Sequence, residues 1–213
     1  MGQSMGQIST TIHTIRHGQT EYNIEKRYAG TLEVSLNQAG KQSCRQASRG
    51  LAGMHFDAVI TSALKRSAET ARILLGDDVQ LVQSELCNER DYGGMQGFTA
   101  DEVEFLEPPV HYIKVGGDYH SLNPPGGESF EELRDRAERF LSFTLNGFSG
   151  LHVLVVSHGT FLQQFHGVLR GQTWHQALAR AVPSLAVTSF ELSNRSLVHE
   201  TSMFLLHYDQ STW

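Results

Sequence analysis

The sequence predicts an α/β fold, a three-layer sandwich in which a mostly parallel central sheet is flanked by helices. Three observations carry this expectation. The runs FDAVITS and LHVLVVS are short and apolar throughout, as in strands buried on both faces. Each is followed closely by a segment with helical spacing of its apolar residues. Strand and helix signals alternate along the chain, which is the order that builds a parallel sheet with helical crossovers.

The elements follow in order. Residues 8 to 15, threonine-rich around Ile12 and Ile15, read as the first strand. Asn37 is placed to cap a helix that Gly50 or Gly53 would end. FDAVITS is the second strand. The helix after it carries Leu64, Ala68, Ala71 and Leu75 on one face and closes at Gly76. VQLVQS reads as a third strand, and a long irregular region follows. The next helix, ESFEELRDRAERFLSFTLNGF, turns Phe130, Leu133, Ala137, Phe140 and Leu141 inward. LHVLVVSHG is the clearest strand, TFLQQFHGVLRG the helix behind it, and strands near AVTSFEL and SMFLLHY end the chain.

Composition bounds the function. A chain of 213 residues with 39% hydrophobic and 19% charged residues is an ordinary globular protein, read here as one domain spanning 1–213. A net charge of −6 argues against broad nucleic-acid or anionic-membrane binding, both of which need a basic surface. No apolar run approaches a membrane span, and the opening MGQSMGQIST lacks the pattern of a signal peptide. Gly2 and Gly6 follow methionines without a persuasive acylation signal. Cys44 and Cys87 form no CxxC pair, so reduced thiols in a cytoplasmic protein are the simplest expectation.

Ligands of such sheets sit beyond the carboxyl ends of strands. By that rule the first strand delivers Arg16, His17 and Gly18, the second runs through Ser62 to Arg66, and the LHVLVVS strand delivers His158 and Gly159. Taken singly, each has a plain alternative: a basic surface turn, a solvated helix charge, a hydrogen-bonded turn histidine. Together they place two arginines and two histidines from three distant segments on one rim. Guanidinium groups match phosphate oxygens in a two-pronged way, and glycines let backbone N–H groups approach an anion. His13 and His17 lie four apart on a strand with no further ligand set, so no metal site is expected.

The stretches TIRHGQTEYN, TSALKRSAETA, LCNERDYGGMQG, PPGGESF and VVSHGTFLQ together resemble the histidine phosphatase superfamily, in its phosphoglycerate mutase-like branch. Two positions depart from that pattern. Ala63 stands where proline is usual, and Ala29 where a small hydroxylic residue is common. The resemblance implies that His17 is the nucleophile that becomes phosphohistidine. It implies that Arg16, Arg66 and His158 hold the phosphoryl oxygens, and that Glu89 protonates the leaving oxygen and later activates water. It adds Asn23, Thr20, Arg90 and Tyr92 as substrate contacts, and an inserted cap at about 93–128 over the active site. No cofactor is implied. The expected partner is a phosphorylated small molecule, with monomer and homodimer both open.

From Asp91 to Leu133 there are nine acids (Asp91, Asp101, Glu102, Glu104, Glu107, Asp118, Glu128, Glu131 and Glu132) against Lys114 as the one base. A mutase shuttling a bisphosphorylated intermediate needs a second basic subsite there. The sequence therefore favours a phosphomonoesterase. Mutase-type phosphoryl transfer and a non-catalytic phosphate-binding module are the alternatives.

Overall fold

The computed structural model describes residues 9–206. The acylation question at Gly2 and Gly6, and the last two residues of the expected final strand, lie outside them. Eight strands and seven α-helices follow in the order β1 (Ser9–Arg16), α1 (Glu21–Ile24), α2 (Gln38–Ala47), β2 (Ala58–Thr61), α3 (Lys65–Leu75), β3 (Leu81–Gln83), α4 (Ala100–Val103), β4 (Tyr112–Val115), β5 (Asp118–Ser121), α5 (Phe130–Gly147), β6 (His152–Ser157), α6 (Gly159–Leu169), α7 (Trp174–Ala177), β7 (Ala186–Ser193) and β8 (Ser196–Phe204).

The main sheet runs β3-β2-β6-β1-β7-β8. Its first four strands are parallel, and β7 and β8 are antiparallel additions. Alternation sorts the core into two layers. Ile12, Ile60, Val153 and Val155 face α5 and α6, where Phe130, Leu133, Phe140, Phe161 and Phe165 pack. Ile15, Val59, Leu154 and Val156 face α2 and α3, meeting Cys44, Ala47, Ala71 and Leu74. The three-layer sandwich is as the sequence predicts. Among the described residues no helix is long and apolar enough to cross a membrane.

Helix starts follow the expected chemistry. Asn37 caps α2 by accepting from the Gly40 N–H, and Ser129 with Glu132 forms a reciprocal capping box on α5. Three details differ from expectation. Leu74 is the buried leucine near the end of α3, with Leu75 half-buried against the same core. The last strand begins earlier, at Ser196, because Asn194 and Arg195 both take positive φ and close a two-residue hairpin turn. The irregular region holds a hairpin, β4–β5, turned by Gly116 and Gly117 at φ 64° and 99°.

Two of the three Gly-Gly pairs of the sequence, Gly93-Gly94 and Gly126-Gly127, meet at the base of that region. Gly94 N–H donates to Pro125 O, and Glu128 N–H donates to Asp91 O, both at 2.8 Å. A β-carbon on Gly127 would stand 2.6 Å from Asp91 O and 2.8 Å from Gly93 N. Residues 91–94 and 124–128 thus lie backbone against backbone, bringing together the ends of the segment between them. That segment reaches across to the 27–31 loop, through Tyr28 N–H to Phe98 O at 2.9 Å and Arg27 to Glu102 at 2.8 Å. At its other end the hairpin tip at Gly116 abuts Ala179.

Gly127→Ala is expected to cost about 1–3 kcal/mol by overpacking, lowering Tm by several degrees in a thermal melt. Gly94→Ala, whose β-carbon would meet nothing closer than 3.6 Å, is the control and should leave Tm unchanged. Equal melting of the two variants would refute the close backbone approach.

Candidate active site

The rim is built by three adjacent parallel strands. β6 lies between β1 and β2, with Arg16 in register with Ser157 and Thr61 with Val156. Their carboxyl ends therefore deliver Arg16-His17, Ser62 and His158 side by side. The His17 and His158 rings are 5.1 Å apart between centroids.

His17 is 5% exposed, and its Nδ1 lies 2.7 Å from Gly18 O. A carbonyl only accepts, so Nδ1 carries the proton and Nε2 keeps its lone pair. Burial holds the ring's pKa well below the usual histidine value, and Arg66 and Arg16 depress it further. The imidazole is thus neutral, in one tautomer, beside two guanidinium groups. This is the electronic form of a nitrogen nucleophile.

Arg66 is 1% exposed at the start of α3 and donates from Nε to His158 Nδ1 at 3.2 Å. Its Nη1 and Nη2 donate to Leu32 O and Gly30 O at 2.8 and 2.7 Å. His158 Nδ1 therefore accepts, and its Nε2–H donates to Ser62 Oγ at 2.7 Å. Burial, Arg66 and His17 hold His158 neutral as well. Both ring nitrogens of His158 are engaged here, so its direct act in this structure is to orient Arg66. Arg16 donates to Val182 O at 3.0 Å.

Gly18 acts differently from expectation. Gly18 N–H is taken by Thr70 Oγ1 at 3.0 Å, and a β-carbon there would stand 2.7 Å from Cys44 Sγ. Gly18 is there for close packing on α2 and does not offer its amide to an anion. A β-carbon on Gly159 would come within 3.2 Å of Arg16 Cζ, so this glycine makes room for the guanidinium.

Glu89 arrives on the loop after β3. Its Oε2 accepts from Thr160 N–H at 3.2 Å, and Oε1 accepts from Phe161 N–H at 3.0 Å and Arg90 N–H at 2.9 Å. The carboxylate sits at the first turn of α6, where backbone donors point outward. Thr20 is buried as the cap of α1, and Asn23 Oδ1 accepts from the Thr20 N–H and hydroxyl at 2.9 and 3.0 Å. The exposed Asn23 amide NH₂ is left to donate toward solvent or a ligand.

Arg90 is not open to a ligand as the resemblance implied. It is 1% exposed, donates to Glu128 O and Ser121 O at 2.8 and 2.7 Å, and stacks 3.8 Å over Phe130. It clamps β5 and the α5 start onto the Glu89 loop. Tyr92 bonds Thr160 Oγ1 at 2.8 Å, and burial and then Glu89 push its phenol up to about 12. Sequence reasoning missed Arg136, which grips the Glu89 loop from α5. The signal was present: an arginine three after Leu133 and four before Phe140, on the flank of an inward stripe.

The family model described as histidine phosphatase superfamily (branch 1) matches residues 12–202. A 2,3-bisphosphoglycerate-dependent phosphoglycerate mutase of Parvibaculum lavamentivorans is 31% identical over 204 residues, covering 90% of this chain and 94% of its own. Bacillus stearothermophilus YhfR matches with a TM-score of 0.76 at 25% identity, over 89% of this chain and 94% of the other. The alpha-ribazole phosphatase of Shigella flexneri matches with 0.75 at 21%, over 88% and 93%, a likeness of fold alone.

Five histidines, His13, His17, His120, His158 and His166, are held below their usual pKa mainly by burial, His13 to about 4 and His166 to about 3. Above about pH 6.5 neither folded nor unfolded chain holds these protons. Below it the unfolded chain takes up protons that the native state cannot, so stability falls with pH. Each such histidine contributes up to about 1.4 kcal/mol per pH unit. Urea melts should show unfolding free energy dropping between pH 6.5 and 5, less steeply in His166→Gln. A flat profile there would contradict the buried neutral rings.

Proposed function

Because the chain belongs to the histidine phosphatase superfamily, we propose that it hydrolyses phosphomonoesters of small molecules through a phosphohistidine at His17. The observation that carries this reading is the neutral His17, its Nδ1–H fixed on Gly18 O and its Nε2 free beside Arg16 and Arg66. Nε2 attacks phosphorus as the ester P–O bond breaks, and the proton on Glu89 passes to the departing oxygen. Glu89 then takes a proton from water, whose oxygen attacks the phosphohistidine. The P–N bond breaks, returning its electron pair to Nε2 and releasing inorganic phosphate. Arg16 and Arg66 stabilise the charge on the equatorial oxygens, and Asn23 supplies a neutral donor.

Hydrolysis is favoured over mutase transfer by where the cations of the 91–133 span and of its catalytic loop lie. Lys114 Nζ sits 5.3 Å over the Tyr119 ring on the hairpin, and Arg90 is buried under Phe130. Neither is placed as an open second anion subsite. The acids of the segment carry less weight than their number implies. Glu102 pairs with Arg27, Glu128 with Arg136, Glu132 caps α5, and Asp91 accepts from Gly93 N–H. Missing bases, rather than repulsion, leave no second anion subsite there. The mutase reading is favoured by the relative from Parvibaculum lavamentivorans, whose name states that activity.

His17→Ala should abolish turnover at unchanged Tm, and the wild-type protein alone should trap acid-labile phosphate. Retained activity in the variant would end this mechanism. A coupled mutase assay with and without 2,3-bisphosphoglycerate, run beside phosphate release, decides between the two reactions. Phosphate release should dominate, and isomerisation outrunning it would establish the mutase. A preparation that binds phosphate but neither turns over nor becomes labelled would be a binding module.

A further inference from the structure

The loop that presents Glu89 has no strand pairing, yet four successive carbonyls in it are each bound by a side-chain donor. Ser157, the last residue of β6, donates to Cys87 O at 2.7 Å. The other three belong to Arg136 of α5. Its Nη1 donates to Leu86 O and Asn88 O at 3.1 and 2.7 Å, and its Nη2 to Glu89 O at 3.2 Å. The remaining donors form a two-pronged pair with Glu128, from Nε to Oε1 and from Nη2 to Oε2, both at 2.7 Å. All five N–H groups of the guanidinium are used, and the pair is 13% and 14% exposed.

This arrangement fixes Glu89 at two points. Arg136 ties its backbone to the 18-residue helix α5. The first turn of α6 ties its carboxylate through Thr160 and Phe161 N–H. The two anchors also meet each other, because the Arg136 guanidinium lies 5.3 Å over the ring of Phe161. Glu128 in turn holds the guanidinium flat against the loop. A lysine, with three donors and no planar fork, cannot make this set.

We propose that Arg136, held by Glu128, is a positioning residue that sets the Glu89 carboxyl at the leaving-group oxygen. The proposal rests on the reading of Glu89 as the proton donor. Proton donation tolerates little displacement, since a shift of about 1 Å can cost roughly 100-fold. General acid catalysis as a whole is worth roughly 10²–10⁴-fold.

The test compares kcat on glycerol phosphate, a poor leaving group, with kcat on p-nitrophenyl phosphate, whose leaving group hardly needs a proton. The variants are Glu89→Gln, Arg136→Lys, Glu128→Gln and each of the last two combined with Glu89→Gln. Glu128→Gln is the milder change and keeps the experiment decisive should Arg136→Lys not fold. The expected result is a loss at least about 10-fold larger on glycerol phosphate than on p-nitrophenyl phosphate. Adding Glu89→Gln should then lower glycerol phosphate turnover no further than Glu89→Gln alone. Equal losses on both substrates, or losses that multiply with Glu89→Gln, would make the pair merely structural and overturn the proposal. If Glu89→Gln itself shows no leaving-group dependence, the reading of Glu89 falls, and the proposal with it. Selective loss in Glu89→Gln without selective loss in the pair removes the positioning role alone.

Discussion

The buried Arg66 guanidinium and the half-buried Arg16, set beside two buried imidazoles, form the constraint on which the rest of the site depends. At an effective dielectric of ~20, like charges ~4 Å apart repel by about 4 kcal/mol, so a third cation does not enter cheaply. Both rings are held neutral, and their hydrogen-bond partners then set the tautomers. His17 gives its one proton to Gly18 O and keeps Nε2 free. His158 keeps Nδ1 unprotonated, which alone lets it accept from Arg66 Nε. One electrostatic condition therefore leaves His17 Nε2 with its lone pair and lets His158 align the arginine beside it.

The sheet makes that crowding possible. Placing β6 between β1 and β2 brings three strand ends into register, so residues far apart in sequence share one edge without any long loop. The helices behind them are drawn close by small residues. A β-carbon on Gly18 would strike Cys44, and one on Gly159 would press on Arg16. These glycines earn their places by proximity to side chains, since neither has positive φ.

This explains what was legible in the sequence and what was not. Apolar runs and cap residues are local, so β1, β2, β6 and the helices α2, α3, α5 and α6 could be read directly. The convergence of Arg16, His17, Arg66 and His158 followed from one topological rule about strand ends. The role of Arg90 could not, because a motif records neighbours along the chain and not the Phe130 ring beneath the guanidinium. The β4–β5 hairpin was hidden because its strands are four residues each with mostly exposed faces, leaving Gly116-Gly117 as the sole strong turn signal. Charge counting failed for a related reason. Glu128 adds to the acidic tally, yet it is spent on Arg136.

The segment between Gly93-Gly94 and Gly126-Gly127 is tied to the rim of strand ends. Its Gln96 side chain accepts from Thr31 N–H and hydroxyl, while Tyr28 O accepts from Gly97 N–H and Tyr28 N–H donates to Phe98 O. The carbonyls of Gly30 and Leu32 in that same loop accept from Arg66. One short stretch, residues 27–32, thus carries this segment on one side and the Arg66 guanidinium on the other. A β-carbon on Gly30, at φ 50°, would collide with Gln96, so the loop has little freedom to move independently of either. Displacing the segment must shift the two carbonyls that hold Arg66. Arg66 in turn is held at its third point by His158, a ring kept neutral by burial first and by Arg66 second. Through that chain of contacts, the shape of the segment and the electrostatics around His17 are parts of a single arrangement.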